Sequence, residues 1–401
     1  MTNGLLHGVR VLDLTTILAG PFAAYQLALM GADVIKVEIP GTGDLARELG
    51  SEGPQHIPMM GPSFIAQNCG KRSIAVDLKT AEGTEVFTRL IRDADVLLEN
   101  MRPGVLARLG FPYARLHEIN ESLVYCALSG FGQTGPMAGR PAYDQIIQGM
   151  AGMIDVTGFK EGTPIRAGFP IADTLGGFAS AMAICAALSR RGRDGTGCFL
   201  DVSMLETALS AMGWAVSDHL IADREVGRNG NANATSSPSG MFRTADGSLN
   251  IAANTQQQFA ALCGVLGCPE LIDDERFRTR GDRKVHREAL TCELEERLAA
   301  RGAAEWEELV AGAGIPAGRV FTVAQAVEQP QVRERGLVHE VDLERPDGTP
   351  IRVLGNGVHV DGQALAPSSR SPWLGEHTEE ILAELGYTGD EIAALRDRNV
   401  V

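Results

Sequence analysis

The sequence is short of most motifs that announce chemistry. No GxGxxG follows a predicted strand, no GxxxxGKS/T occurs, and HExxH and strand-borne GxSxG are absent. The first strand-to-helix turn reads LTTILAGP, without the glycines that let backbone approach a pyrophosphate, so Glu38 is read as a strand end rather than a ribose ligand. The seven cysteines, Cys69, Cys126, Cys185, Cys198, Cys263, Cys268 and Cys292, are odd in number and form no CxxC pair. Those among apolar neighbours read as packed thiols, so neither a metal nor a disulfide framework is expected. The eight histidines are scattered and never cluster as ligands. Basic side chains are in deficit, 36 against 51 acidic, for a net charge of -15. That balance excludes general nucleic-acid binding, although a few local Arg and Lys residues can still hold a small anion. Neither a basic n-region with an apolar h-region nor an apolar run of about 18 residues is apparent, so a cytoplasmic protein with no membrane partner is expected.

What is present is an ordinary folding composition. The 401 residues are 44% apolar and 22% charged, enough for two domains or one large domain with an insertion. VRVLDL (9–14) reads as a strand, and FAAYQLALM as a helix with Gly31 just past its end and Pro21 at its start. DVIKVE closes a βαβ unit. RSIAVDL, DVLLEN and SLVYCALS follow as strands, alternating with helices over AEGTEVFTRLIRDA and PGVLARLG. This alternation predicts an α/β chain with a doubly wound parallel sheet. After Tyr143 the texture changes: YDQIIQGMAGMIDVTG and TLGGFASAMAICAALSRR are helix-like, and GRNGNANATSSPSG reads as a loop. Helical patterns then dominate to about Ala324, which suggests a second, smaller domain.

One carboxylate stands in a distinctive place. In PIADTLGG, Asp173 precedes a helix opening with Thr174 and two glycines, and the commonest role for Asp there is an N-cap. At the positive end of a helix it is expected to stay ionised and could attack an acyl carbon without a general base. Gly176 and Gly177 would let a bulky acyl group approach.

Several ordered blocks carry a resemblance: VLDLTTILAGPFAAYQLALMGADVIKVE, NCGKRSIAVDLKTAEG, ADVLLENMRPGVLARLGF, LSGFGQTGP, AYDQIIQGMAGMIDVTG, PIADTLGG and PWLGEHTEEILAELGY. Together they resemble the family III CoA-transferases of the CaiB/BaiF group, which contains formyl-CoA transferase. The resemblance implies a Rossmann-like large domain from residues 1–205 and 340–401, a small domain over 226–325, and linkers at 206–225 and 326–339. It also implies an interlocked homodimer. It implies no prosthetic group, with coenzyme A as substrate and a small carboxylic acid as second partner. Asp173 matches the family's nucleophile. CoA contacts are implied at Leu18, Ala19, Val76, Lys79, Asn100, Met101, Arg102, Arg108, Tyr143 and Asp144, with Arg108 the strongest candidate for phosphate. Leu18 and Ile39 depart from the glutamine and arginine of formyl-CoA transferase, and the loop NGNANATSSPSGMF replaces its glycine-rich lid. These departures point away from formate and oxalate. The polar loop, with Arg166, points to a polar acid such as a dicarboxylate. The α-methylacyl-CoA racemases keep an aspartate at the position of Asp173 but pair it with a histidine where this chain has Tyr143, and a phenol is a poor substitute for imidazole in proton exchange. A non-catalytic CoA-binding protein would not need Asp173 at all.

Overall fold

The computed structural model describes residues 4–50 and 56–401. The near-continuous apolar runs of the N-terminal half become strands buried on both faces, as parallel strands between two helix layers must be. In chain order the elements are β1 (Arg10–Asp13), α1 (Ala19–Leu29), β2 (Asp33–Glu38), α2 (Pro62–Asn68), β3 (Arg72–Ala75), α3 (Ala81–Arg92), β4 (Val96–Glu99), α4 (Val105–Arg108), α5 (Tyr113–Ile119), β5 (Val124–Ser129), α6 (Asp144–Met150) and α7 (Met153–Val156). The long helix α8 (Ile171–Asp194) leads to β6 (Cys198–Ser203), α9 (Met204–Ala211) and α10 (Gly213–Ala222).

These six strands form one parallel sheet in the order β3-β2-β1-β4-β5-β6. Side chains alternate between its two faces. Val11, Val34, Leu98 and Cys126 pack with Ala23, Leu27, Ala181 and Ile184 of α1 and α8. Leu12, Ile35, Leu97 and Tyr125 pack on the other face with Val86, Phe87 and Leu90 of α3. The expected α/β sheet wound on both faces is therefore present. Strand order reverses between β1 and β4, and in open α/β sheets that switch opens a ligand crevice beyond the carboxyl ends of the strands.

The chain continues through β7 (Ser239–Arg243), β8 (Ser248–Ala252), α11 (Gln256–Leu266), α12 (Arg280–Val285), α13 (Arg287–Leu298), α14 (Ala303–Gly312), β9 (Ala317–Arg319) and α15 (Val323–Glu328). Here a three-stranded antiparallel sheet shares a separate core with Phe259, Leu262, Leu290, Leu294 and Trp306. The return passes through α16 (Pro330–Glu334), a hairpin of β10 (Val338–Glu344) and β11 (Pro350–Leu354), a short pair β12 (His359–Val360) and β13 (Gln363–Ala364), then α17 (Thr378–Glu384) and α18 (Gly389–Asp397). Ile381, Leu382, Ile392 and Leu395 of these last helices join the α3 side of the large sheet's core.

Two compact units result. One comprises Met1–Met153, Arg166–Arg224 and Pro330–Val401; the other comprises Ile154–Ile165 and Glu225–Gln329. These boundaries differ from the sequence-based ones in three places. Residues 154–165 group with the smaller unit rather than the larger. The expected linker 206–225 is largely helical, as α9 and α10, and through Arg224 belongs to the larger unit. The expected linker 326–339 is divided, up to Gln329 in the smaller unit and from Pro330 in the larger. A further correction concerns α8. It is long and apolar enough to cross a membrane by length and composition, which the sequence reading overlooked. In the structure its inner face packs on α1 and the sheet.

Candidate functional site

The carboxyl ends of β1, β4 and β5 frame a cavity of about 290 Å³ at the strand-order switch. Asp173 lies in its wall. So do Leu18 and Ala19 from the start of α1, Asn100, Met101 and Arg102 after β4, and Tyr143 before α6. Val76 and Lys79 line an adjoining slot of about 190 Å³, walled by Val37, Ile39, Leu78 and Leu109. Thr16 and Met101 border both spaces. Eight of the ten residues matched to CoA thus fall on one continuous pair of cavities at the sheet's ligand-binding edge.

The other two fall elsewhere. Arg108, the strongest phosphate candidate of the resemblance, is exposed on α4 and lines neither cavity. Asp144 is buried, and its carboxylate accepts from Ala172 N at 2.8 Å and from Gln148 Nε2 at 2.6 Å. Asn100 lines the cavity, but its amide is already engaged: Oδ1 accepts from Thr16 N and Nδ2 donates to Thr16 O, both at 2.9 Å. Arg166 does not line the cavity.

Asp173 itself departs from expectation in a way that matters chemically. It is not the N-cap of α8. Pro170 occupies that position without a side-chain cap, and Asp173 is the third helical residue. The capping bond comes instead from Asp144, 28 residues upstream of Ala172. Among the described residues, no donor or cation meets the Asp173 carboxyl. Burial, and secondarily the charge of Asp144, push its pKa up from 3.8 to about 7. The helix dipole favours the anion, but desolvation and a like charge outweigh it. The expectation of a fully ionised cap is therefore corrected to a desolvated carboxyl that titrates near neutrality.

The neighbouring glycines are also reassigned. A Cβ on Gly177 would stand 2.7 Å from Ala19 O and 2.8 Å from the Phe22 ring. One on Gly176 would stand 3.1 Å from Met204 Cγ and 3.2 Å from Leu128 Cδ1. Both serve the close packing of α8 on α1 and α9, not the approach of an acyl group. That packing sets the depth at which Asp173 meets the cavity.

Sequence reasoning missed several lining residues, Arg140, Met204 and Ser129 among them. Arg140 adds a second guanidinium to that of Arg102. Met204 closes the side nearest Gly176. Ser129, the last residue of β5, is 8% exposed, and its Oγ is buried with no hydrogen-bond partner. An unpaired buried hydroxyl is costly in a folded protein unless something else meets it. The strand-then-glycine pattern of LSGFG was the available signal, since ligands gather at the carboxyl ends of strands.

A doubly wound sheet whose strand-order switch opens on a cavity lined by a desolvated carboxyl, Asp173, and by Arg102 and Arg140 suits an anionic ligand such as a phosphate or a carboxylate. The comparisons are specific. The model of CoA-transferase family III matches residues 6–378, and the chain belongs to that family. It is 38% identical over 380 residues to the succinyl-CoA:glutarate CoA-transferase of Mus musculus, covering 95% of this chain and 86% of that protein. It is 39% identical to the succinate–glutarate CoA-transferase of Agrobacterium fabrum, covering 95% of each. The crystal structure of a CaiB/BaiF family protein from Brucella suis superposes with a TM-score of 0.85 at 38% identity, covering 96% of this chain and all of that one. The chain is thus a CoA-transferase, an enzyme acting between acyl-CoA thioesters and carboxylates.

Proposed function

We propose that Asp173 is the nucleophile of this transfer and that the acids exchanged are small dicarboxylates. One observation carries the reading: in the wall of the larger cavity Asp173 is a carboxyl without a competing partner among the described residues, and that cavity adjoins the slot through Thr16 and Met101. The desolvation that raises its pKa also strips the anion of the water that would blunt its attack. A carboxylate oxygen adds to the thioester carbon of the donor. The C–S bond breaks, CoA leaves as thiolate, and an aspartyl–acyl anhydride remains. The thiolate then adds to the aspartyl carbonyl and expels the donor carboxylate, leaving Asp173 as a CoA thioester. The acceptor carboxylate repeats the sequence in reverse and departs as the new acyl-CoA. Every step exchanges one acyl bond for another, so no energy source is consumed.

The N–H groups of Ala19 and Gly20, which as the first residues of α1 have no helical partner, suit the oxyanion of these additions. The apolar slot beyond Met101 suits the adenine end of CoA, and Arg102 a phosphate. Arg140 suits the distal carboxylate of a dicarboxylate, and relatives named for glutarate and succinate support that choice. A racemase would need a second proton-exchanging group near Asp173, and among the described residues the cavity wall offers Tyr143 where the racemases have a histidine.

We further propose a homodimer. Phe178 and Met182 of α8 and Trp214, Leu220 and Ile221 of α10 are large apolar side chains on the surface of this chain, the last 84% exposed. Surfaces of this kind are covered by a partner in soluble oligomers. Light scattering that gives a monomer mass would remove this part of the proposal. For the chemistry, incubation with succinyl-CoA followed by peptide mass spectrometry should find CoA joined to the peptide containing Asp173. The Asp173→Ala variant should bind acyl-CoA and show neither adduct nor turnover; retained turnover would overturn the assignment.

A further inference from the structure

The turn that joins β1 to α1 holds a residue where it does not settle unaided. Ile17 has φ +71°, a left-handed conformation that a β-branched side chain disfavours strongly. The surrounding structure fixes that turn residue by residue. Thr15 N donates to Asp13 Oδ1 at 3.0 Å, and Thr15 O accepts from Lys36 Nζ at 2.9 Å. Thr16 is clamped on both sides by the Asn100 amide. Ile17 N donates to Asp44 Oδ1 at 3.0 Å. Asp44 belongs to neither β1 nor α1. It caps the short turn Leu45–Arg47 through Ala46 N at 2.9 Å and forms an ion pair with Lys36 at 3.0 Å, both side chains having no solvent exposure.

Thr16 and Ile17 line the cavity themselves, together with Leu18, the N-cap of α1, and Ala19, its first residue; Gly20 follows. Gly20 packs closely against the same turn, where a Cβ would stand 2.3 Å from Thr15 Cγ2. A buried charge pair, a strained backbone and a helix start that shares a cavity wall with Asp173 thus lie in one chain of contacts. Strained backbone persists only where its surroundings over-determine it, and such places concentrate at functional sites.

We propose that Asp44 is a positioning residue for transfer: its carboxylate, fixed by Lys36, keeps Ile17 left-handed and so aims the start of α1 at the acyl group on Asp173. The proposal rests on the reading of Asp173 as nucleophile. Without the carboxylate the Ile17 N–H loses its acceptor, the turn relaxes toward ordinary φ, and the first N–H groups of α1 swing away from the reacting carbon.

The test is a double-mutant cycle with Asp44→Ala and Ile17→Gly, because glycine occupies positive φ without strain. In the parent, Asp44→Ala should lower kcat/KM about 10- to 100-fold, the scale set by an ångström of misplacement. In the Ile17→Gly background the same change should cost less than about 3-fold, since the turn no longer needs holding. Amide hydrogen exchange should find the Ile17 N–H protected in the parent and unprotected in Asp44→Ala. An equal loss in both backgrounds, or no loss in the parent, overturns the proposal. Should Asp44→Ala fail to fold, Asp44→Val, of similar bulk but with no oxygen to accept from the Ile17 N–H, enters the same cycle. Failure of the underlying reading is separable. A parent that forms no CoA adduct on Asp173 sinks the nucleophile, while the exchange result still reports on the turn.

Discussion

Asp173→Asn should abolish transfer and at the same time make the protein more stable, with a pH dependence of definite sign. The folded-state pKa of Asp173 is raised from 3.8 to about 7 by burial and by Asp144. A group raised in this way holds its proton more tightly folded than unfolded. Its contribution to stability is complete below the unfolded pKa and is lost as pH rises through the folded one. Asparagine is neutral throughout, so the variant escapes that loss. Three pH units correspond to about 4 kcal/mol at 1.36 kcal/mol per unit. Solvent reaching the cavity side of the carboxyl screens part of this, leaving about 2 kcal/mol at pH 8. At pH 5.5 roughly half of the difference should remain, and near pH 4 almost none. Urea denaturation of parent and variant at these pH values measures it. A variant no more stable at pH 8 than at pH 4, relative to the parent, would refute the account of why this carboxyl titrates near neutrality.

Three further outcomes follow from the same geometry. Asp144→Asn removes the like charge beside Asp173 and weakens the cap on α8, so the pH profile of acyl-CoA labelling should move to lower pH while stability falls by about 1 kcal/mol. Gly177→Ala places a methyl group against Ala19 O and Phe22, and thermal denaturation should show a loss of about 1–3 kcal/mol. Ser129→Ala deletes a buried hydroxyl that lacks a protein partner, so stability should be unchanged or slightly higher; steady-state kinetics should show KM for the acyl-CoA raised about 5-fold, the worth of one neutral hydrogen bond.

The sheet was legible because its strands carry dense apolar runs between helix signals: DVIKVE became β2 at the expected residues, and β4 and β5 fell within DVLLEN and SLVYCALS. The strand β6 and the hairpin of β10 and β11 were not anticipated. In VHEVDLE the alternation of apolar and polar residues is the pattern of a half-buried strand and was passed over, whereas CFLDVS, which ends on two buried residues, shows no strict alternation. Most of the CoA-site residues were placed through family resemblance, and composition and periodicity alone would have found only Asp173. The properties of Asp173 were not legible at all. Its protonation depends on burial and on a carboxylate 29 positions away in sequence, and a local pattern reads such a residue as a cap. Ile17 and Asp44 illustrate the same limit: left-handed backbone at an isoleucine is set by tertiary contacts from three other segments, which no window of sequence contains.

The central claim, that Asp173 carries the CoA, is tested most directly by quenching the enzyme during turnover with succinyl-CoA and sequencing its peptides by mass spectrometry. The account predicts CoA in thioester linkage to Asp173, released when a dicarboxylate acceptor is added and absent from Asp173→Asn. No adduct on Asp173, together with solvent deuterium exchanged into the α-carbon of a 2-methylacyl-CoA, would contradict it.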